Sequence, residues 1–191
     1  MDYINAAEQL IRSRRSIYPA NYTGEKISNE LIWKILDLAN QAPNHKKTEP
    51  WRFIVYTGQG LEKLSAFESE SYRKSVSPDR FSDIKYKKTK GKALKSSHVI
   101  AICMHPTPDL LPEWEEIAAV SCAVQNLWLA CCAHDLGCYW STPKYAVGED
   151  AFFELKPGEK CLGLFYIGIP QKELAPKSGR KPIEDKTRWI E

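Results

Sequence analysis

Apolar positions along this chain follow two patterns, a helical period near 3.6 residues and short continuous runs, and the alternation between them marks out the elements. Ile4, Ala7, Leu10 and Ile11 share one face of a helix that ends at the cluster Arg12 to Arg15. After a loop over 18–26, Leu31, Ile35, Leu38, Ala39 and Ala42 share another face, with Ser28 as its N-cap, which predicts an amphipathic helix over 28–41. The stretch from Trp51 to Thr57 is β-branched and aromatic and stops at Gly58, so it reads as a buried strand. Residues 60–95 are rich in charge, carry Leu61, Leu64 and Phe67 at helical spacing, and include Pro78 and Gly91; this pattern predicts short helices forming a mobile lid. Val99 to Met104 is a second apolar strand, closed by Pro106 and Pro108, and Cys161 to Gly168 is a third, closed by Pro170.

The strongest helical pattern spans Pro112 to Leu136. Pro112 suits its start, Glu113, Glu115 and Glu116 suit the positive end of its dipole, and Ile117, Val120, Val124, Leu127, Trp128 and Cys131 make a broad apolar face. Ala118, Ala123, Leu129 and Ala130 extend it nearly all the way round, as in a helix buried at the centre of a fold or in a dimer interface. Gly137 is expected to end it as a C-prime glycine, with Cys138 to Thr142 turning away towards Pro143. Strands interspersed with helices predict an α+β or α/β domain of three layers.

Composition narrows the class. With 191 residues and no Gly/Ser-rich or Pro-rich linker, residues 1–191 are expected to form one domain. Hydrophobic residues at 43% and charged residues at 27% are those of an ordinary globular protein; the N-terminus lacks a signal-peptide core, and the expected location is cytoplasmic. A net charge of +3 is too small to indicate a nucleic-acid or membrane partner. The lysines at 85, 87, 88, 90, 92 and 95 have Tyr86 as the one aromatic among them and read as a solvated helix face. Six cysteines include no CxxC pair and four histidines have no metal-ligand spacing, so no metal and no thiol chemistry are expected.

Candidate chemistry concentrates between the second helix and the first strand, in APNHKKTEPWR from Ala42 to Arg52. Pro43 stops the helix and Pro50 biases Glu49 away from the α region, so His45, Lys46, Lys47, Thr48 and Glu49 lie in a loop fixed at both ends. Such a loop is either plain solvated surface or a ligand-holding segment on a rigid scaffold. Arg14 and Arg15 likewise serve either as caps for a helix C-terminus or as anion ligands.

Five segments then resemble, in order, the nitroreductase family of FMN-dependent oxidoreductases: RRSI at Arg14 to Ile17, APNHKKTEPWRF at Ala42 to Phe53, QNLWLACCAHDLGCYW at Gln125 to Trp140, GLFYIGIP at Gly163 to Pro170, and RKPIEDKTRW at Arg180 to Trp189. The loop around His45 is similar to that of the short, minimal members. The resemblance implies an α+β fold of three layers, helices about a mostly antiparallel sheet, and a homodimer whose flavin site is shared between subunits. It implies FMN, with NAD(P)H as reductant and a nitroaromatic, quinone or similar conjugated acceptor, in a ping-pong hydride transfer at flavin N5. No protein side chain is implied as a catalyst, because the cofactor carries the hydride. Arg14, Ser16, Arg180 and Lys181 would gather around the phosphate and ribityl chain, and Arg15 would face the pyrimidine edge of the ring. Trp140, Ser141 and Thr142 would line the flavin near N5, and the loop with His45, Lys47 and Glu49 would reach the partner's flavin.

Two positions depart from the family pattern. Lys47 and Glu49 stand where many members carry amides, and an ionised Glu49 cannot donate to a flavin carbonyl, so it is left to accept from the ring N3–H or to pair with Lys47. Tyr18 stands where a lysine is common. Two other functions remain open beside the main one: a specialised flavin enzyme for one metabolite, and a flavin-binding protein with little turnover.

Overall fold

In the computed structural model, which describes residues 2–148, 151–171 and 179–191, one antiparallel sheet is built from β1 (Trp51–Tyr56), β2 (His98–Met104), β3 (Gly137–Ser141), β4 (Val147–Gly148) and β5 (Lys160–Gly168). The spatial order is β1, β2, β5, β3, and β4 also pairs with β5. The helices are α1 (Tyr3–Ser13), α2 (Asn29–Asn40), α3 (Gln59–Ser75), α4 (Asp83–Lys95) and α5 (Glu113–Ala133).

Every residue of β2 is buried because the strand is covered on both faces. Ile100, Ile102, Met104, Phe165 and Ile167 pack with α2 and α5, whereas Val99, Ala101, Cys103, Leu164 and Tyr166 pack with Leu61 and Leu64 of α3 and Ala93 of α4. These are the expected three layers. The register breaks once, where Ile102 pairs with Gly163 but Cys103 pairs with Cys161. Gly163 absorbs the extra residue at φ +128, and a Cβ there would stand 2.5 Å from the Ser141 carbonyl oxygen.

Four expectations are corrected. Residues 60–95 form not a set of short lid helices but two regular ones of 17 and 13 residues, packed on the sheet as a full layer. Gly137 does not end α5: Asp135 does, in the left-handed region at φ +55, with Leu136 N donating to Cys131 O at 2.9 Å and Asp135 N to Cys132 O at 3.1 Å. Gly137 instead opens β3, a strand where a turn was expected, and it is glycine because a Cβ would lie 2.9 Å from the Tyr22 ring. On α2 the buried stripe is Ile32, Ile35, Leu36 and Ala39, which leaves Leu38 exposed; packing against α5 selects one stripe of a wide apolar face. Finally, α5 is long and apolar enough to cross a bilayer by length and composition alone, yet here it is a core helix against the sheet and α2.

Candidate functional site

α1 delivers two arginines to the site. Arg15 turns its guanidinium back onto the Arg12 and Arg14 carbonyls, at 2.7 Å to the latter, and so caps the helix that precedes it. Arg14 lies over the Trp128 ring of α5 at 4.6 Å, and Trp128 Nε1 donates to Arg15 O at 3.2 Å. Capping and stacking are thus the roles seen within the chain. A guanidinium has five N–H donors, so both arginines keep donors to spare. Ser16 is exposed, and Ile17 N donates to Cys138 O at 3.0 Å, which fastens the loop to the start of β3.

From there the contacts run directly to the other predicted segment. Trp128 meets Phe165 edge to face at 5.4 Å, and Phe165 is the cross-strand partner of Trp140. Arg14 is thus linked to the strand of Trp140 by a relay of contacts through α5 and β5. Trp140 Nε1 is buried and has no acceptor among the described residues, a vacancy that costs about 1–3 kcal/mol unless a bound group fills it. Ser141 is buried and Thr142 exposed at the strand end.

The loop holding His45, Lys47 and Glu49 sits elsewhere. His45 Nδ1 is 2.8 Å from Glu115 Oε2 at the start of α5, and Lys46 Nζ donates to Leu110 O at 3.3 Å. Lys46, Lys47 and Glu49 all have positive φ, at 52, 56 and 44, a concentration of strain typical of functional segments. The Glu49 carboxylate forms no ion pair with Lys47; its backbone carbonyl accepts from Arg52 at 2.9 Å, and the residue lines a cavity of about 410 Å³ with Trp33, Trp51 and Phe53. Glu115 and Trp128 lie near opposite ends of α5, roughly 20 Å apart along its axis, so this loop is remote from Arg14 of the same chain. Arg180 and Lys181 are exposed in a tail whose hydrogen bonds, among the described residues, are internal, Arg180 to Gly179 O at 3.0 Å and Lys186 to Lys181 O at 3.1 Å, with no contact to Arg14.

One group of residues was not anticipated. A cavity of about 530 Å³ opens between α4 and the turn after Ser16, lined by Tyr18, Asn21 and Tyr139 and by Lys87, Lys88, Lys92 and Lys95. Tyr18 and Tyr139 stand with ring centroids 4.6 Å apart, and Tyr139 immediately precedes Trp140. The signal in the sequence was the spacing of Lys85, Lys88, Lys92 and Lys95, which places them on one helical stripe with no acid between them. Beneath this layer Glu68 is fully buried, accepting from Tyr145 at 3.1 Å and from Tyr166. Burial pushes its carboxyl up, and the Tyr166 hydrogen bond, the Lys92 charge and the Tyr145 hydrogen bond only partly oppose that.

A planar molecule with a phosphate suits this donor set: arginine and lysine cations, serine and threonine hydroxyls, and one orphaned indole N–H. The profile of the nitroreductase family matches residues 11–169. The chain belongs to the nitroreductase family. The Escherichia coli (strain K12) protein YdjA, named as an NAD(P)H nitroreductase, is 31% identical over 174 residues, covering 88% of this chain and 90% of its own. A nitroreductase-like family protein from Bacillus cereus, known from its crystal structure, superposes with a TM-score of 0.78 at 28% identity over 96% of this chain and 95% of that one. The FMN-dependent nitroreductase NfnB from Mycobacterium smegmatis, solved in complex with NADPH, has a TM-score of 0.81 at 18% identity over 100% of both chains, a likeness of fold.

Proposed function

We propose that this protein is an FMN-dependent oxidoreductase that takes hydride from NAD(P)H and reduces nitroaromatic, quinone or similar conjugated acceptors in a ping-pong cycle. The observation that supports this reading is the contact path from Arg14 through Trp128 and Phe165 to the strand of Trp140, which links the two predicted segments within one fold. When bound, FMN supplies the two-electron chemistry that no side chain here can supply. The chain's own residues bind and polarise: Arg14 and Ser16 meet the phosphate, Arg15 stabilises negative charge at the ring's pyrimidine edge, and Ser141 and Thr142 orient the ring from the end of β3.

The working unit is a homodimer. α1 buries no residue in the single chain, and α5 leaves Trp114 and Ile117 exposed near its other end, so apolar groups along the length of α5 need a cover. A two-fold axis that lays α5 antiparallel on its copy would bring the Glu115 end, with His45, Lys47 and Glu49, to the partner's Trp128 end. Each flavin site is then composite. The tail, with Trp189 and Ile190 exposed, also has apolar groups to lay on a partner, and Arg180 and Lys181 would reach a phosphate in that way.

The test begins with purified protein: it should be yellow and release about one FMN per chain. Arg14→Ala should weaken FMN binding by about ten- to a hundredfold, since a charge-assisted hydrogen bond contributes about 1.5–3 kcal/mol. Flavin fluorescence titration reads this directly, and unchanged retention would remove Arg14 from the phosphate site. Mixing Arg14→Ala chains with Glu49→Arg chains, under conditions of subunit exchange, should restore part of the FMN binding, because one site of each mixed dimer carries neither lesion.

A further inference from the structure

We propose that the cavity beside α4 is a subsite for an anionic second substrate, a planar ring bearing a carboxylate or phosphate, and that its lysines select charged over neutral reactants. This rests on the flavin reading above and names the substrate class of the same site.

Three observations carry it. Lys88, Lys92 and Lys95 project from one stripe of α4 into the cavity, Lys87 joins them, and no acidic residue lines the space. Among the described residues Lys87, Lys88 and Lys95 make no side-chain hydrogen bond or ion pair, while Lys92 feels only the buried Glu68 carboxyl from below. Like charges at this spacing on a helix repel, so an arrangement with no internal counter-charge is relieved by an anion from outside. The rest of the lining includes the Tyr18 and Tyr139 rings, packed on each other with centroids 4.6 Å apart and planes tilted by 53°, which offer aromatic edges and faces to a ring-bearing molecule. A volume of about 530 Å³ admits a substituted aromatic acid or one end of a dinucleotide. Tyr139 faces the α3/α4 layer and Trp140 the α2/α5 layer, so the cavity and the proposed flavin residues lie on opposite faces of β3 and can meet only around that edge strand, where the turn from Ser16 to Tyr18 runs.

Either reactant could supply the anion, and the two sources separate experimentally. With NADH held fixed, 4-nitrobenzoate is compared with 4-nitrobenzamide as acceptor; with the acceptor held fixed, NADPH is compared with NADH. In the absence of any reductant, calorimetry measures equilibrium binding of 4-nitrobenzoate and 4-nitrobenzamide. The protein should favour the anionic member of at least one pair by about tenfold in kcat/KM or Kd at low ionic strength, and the preference should shrink as salt rises. The triple variant Lys87→Ala, Lys88→Ala, Lys95→Ala should lose that preference while retaining FMN and its melting temperature, and Lys87→Arg, Lys88→Arg, Lys95→Arg should keep it. No charge preference in the parent, or one that survives the alanine variant, overturns the proposal. Loss of FMN from the folded alanine variant also overturns it, since the cavity would then hold the cofactor. A parent protein that binds no FMN would instead overturn the flavin reading, and the calorimetric comparison still decides the anion subsite.

Discussion

The two helical layers cover one sheet with different materials. On one side α2 and α5 bury Ile32, Ile35, Leu36, Val120, Val124 and Leu127, and their buried polar group, Glu116, is fully answered by Thr107 N and Oγ1 at 2.7 Å each. On the other side α3 buries Ser65, Glu68 and Ser69, and α4 buries Thr89. Their outer surfaces differ in the opposite sense. The α1 and α5 side shows Tyr3, Ile4, Ile11, Trp114 and Ile117 to the outside, whereas α4 shows lysines with only Ile84 and Leu94 between them. An apolar core with an apolar exterior belongs to a layer that expects another protein; an apolar core threaded with polar groups, under a cationic exterior, belongs to one that faces water and anions. The proposed site needs both, a partner's loop from the first and a charged cavity from the second.

The largest expected effect breaks the first half of that contrast. Ile117→Glu places a carboxylate on the exposed face of α5, where a dimer would leave it unpaired at a cost of several kcal/mol. Sedimentation velocity at micromolar concentration should show monomer, and bound FMN should fall by more than about tenfold because the composite site is lost. Ile84→Glu, at a position 81% exposed on α4, should leave both mass and flavin content unchanged. Equal behaviour of the two variants would erase the distinction between the layers.

Next in size are the polar groups buried in the second layer. Glu68→Ala leaves the Tyr145 and Tyr166 hydroxyls without their acceptor, and urea unfolding should show a loss of about 2–4 kcal/mol. Glu68→Gln keeps an acceptor oxygen and should cost less. Its pH dependence is the sharper readout. Burial raises the folded-state pKa of Glu68, so its protonated form contributes fully below the unfolded carboxylate value, and that contribution fades as pH climbs towards and through the raised folded value. The parent should therefore lose stability relative to Glu68→Gln as pH rises above the ordinary carboxylate range, and a difference that stays constant with pH would show that Glu68 does not change charge there.

The same contrast explains what was legible in the amino-acid sequence. β2, β5 and the long α5 announce themselves because continuous apolar runs reflect burial on more than one face, whereas β1, expected as a buried strand, is an edge strand with only Trp51 buried. α3 and α4 were mistaken for short lid helices because α3 carries serines and a glutamate to its buried face, so apolar periodicity there understates the contact with the sheet. β3 was hidden for a different reason. Gly137, which usually signals a helix end, is fixed by the Tyr22 ring, a residue more than a hundred positions away. Arg14 and Trp140 were named from the resemblance, but the relay of contacts that links them, through Trp128 and Phe165, is tertiary and leaves no mark in the sequence. The lysines of α4 were visible as a run and dismissed as a solvated face; only the Tyr18 and Tyr139 rings that line the same space turn that face into a cavity.

The smallest effect tests whether that lysine face is tuned for stability or for binding. Lys88 and Lys92 are one helical turn apart, a like-charge spacing that destabilises a helix by about 0.2–0.5 kcal/mol. Lys88→Gln removes one of the two charges and retains a good helix former, so the folded protein should gain about 0.3 kcal/mol, near 1 °C in melting temperature for a chain of this length. The gain should vanish near 1 M salt, where screening reaches about 3 Å. If the face exists only to be wetted, nothing else changes. If it receives an anion, the same substitution weakens binding of 4-nitrobenzoate or NADPH while leaving their neutral or less charged counterparts untouched. Stability and affinity then move in opposite directions at a single residue, as they do where a site keeps unfavourable charge in place for a ligand that neutralises it.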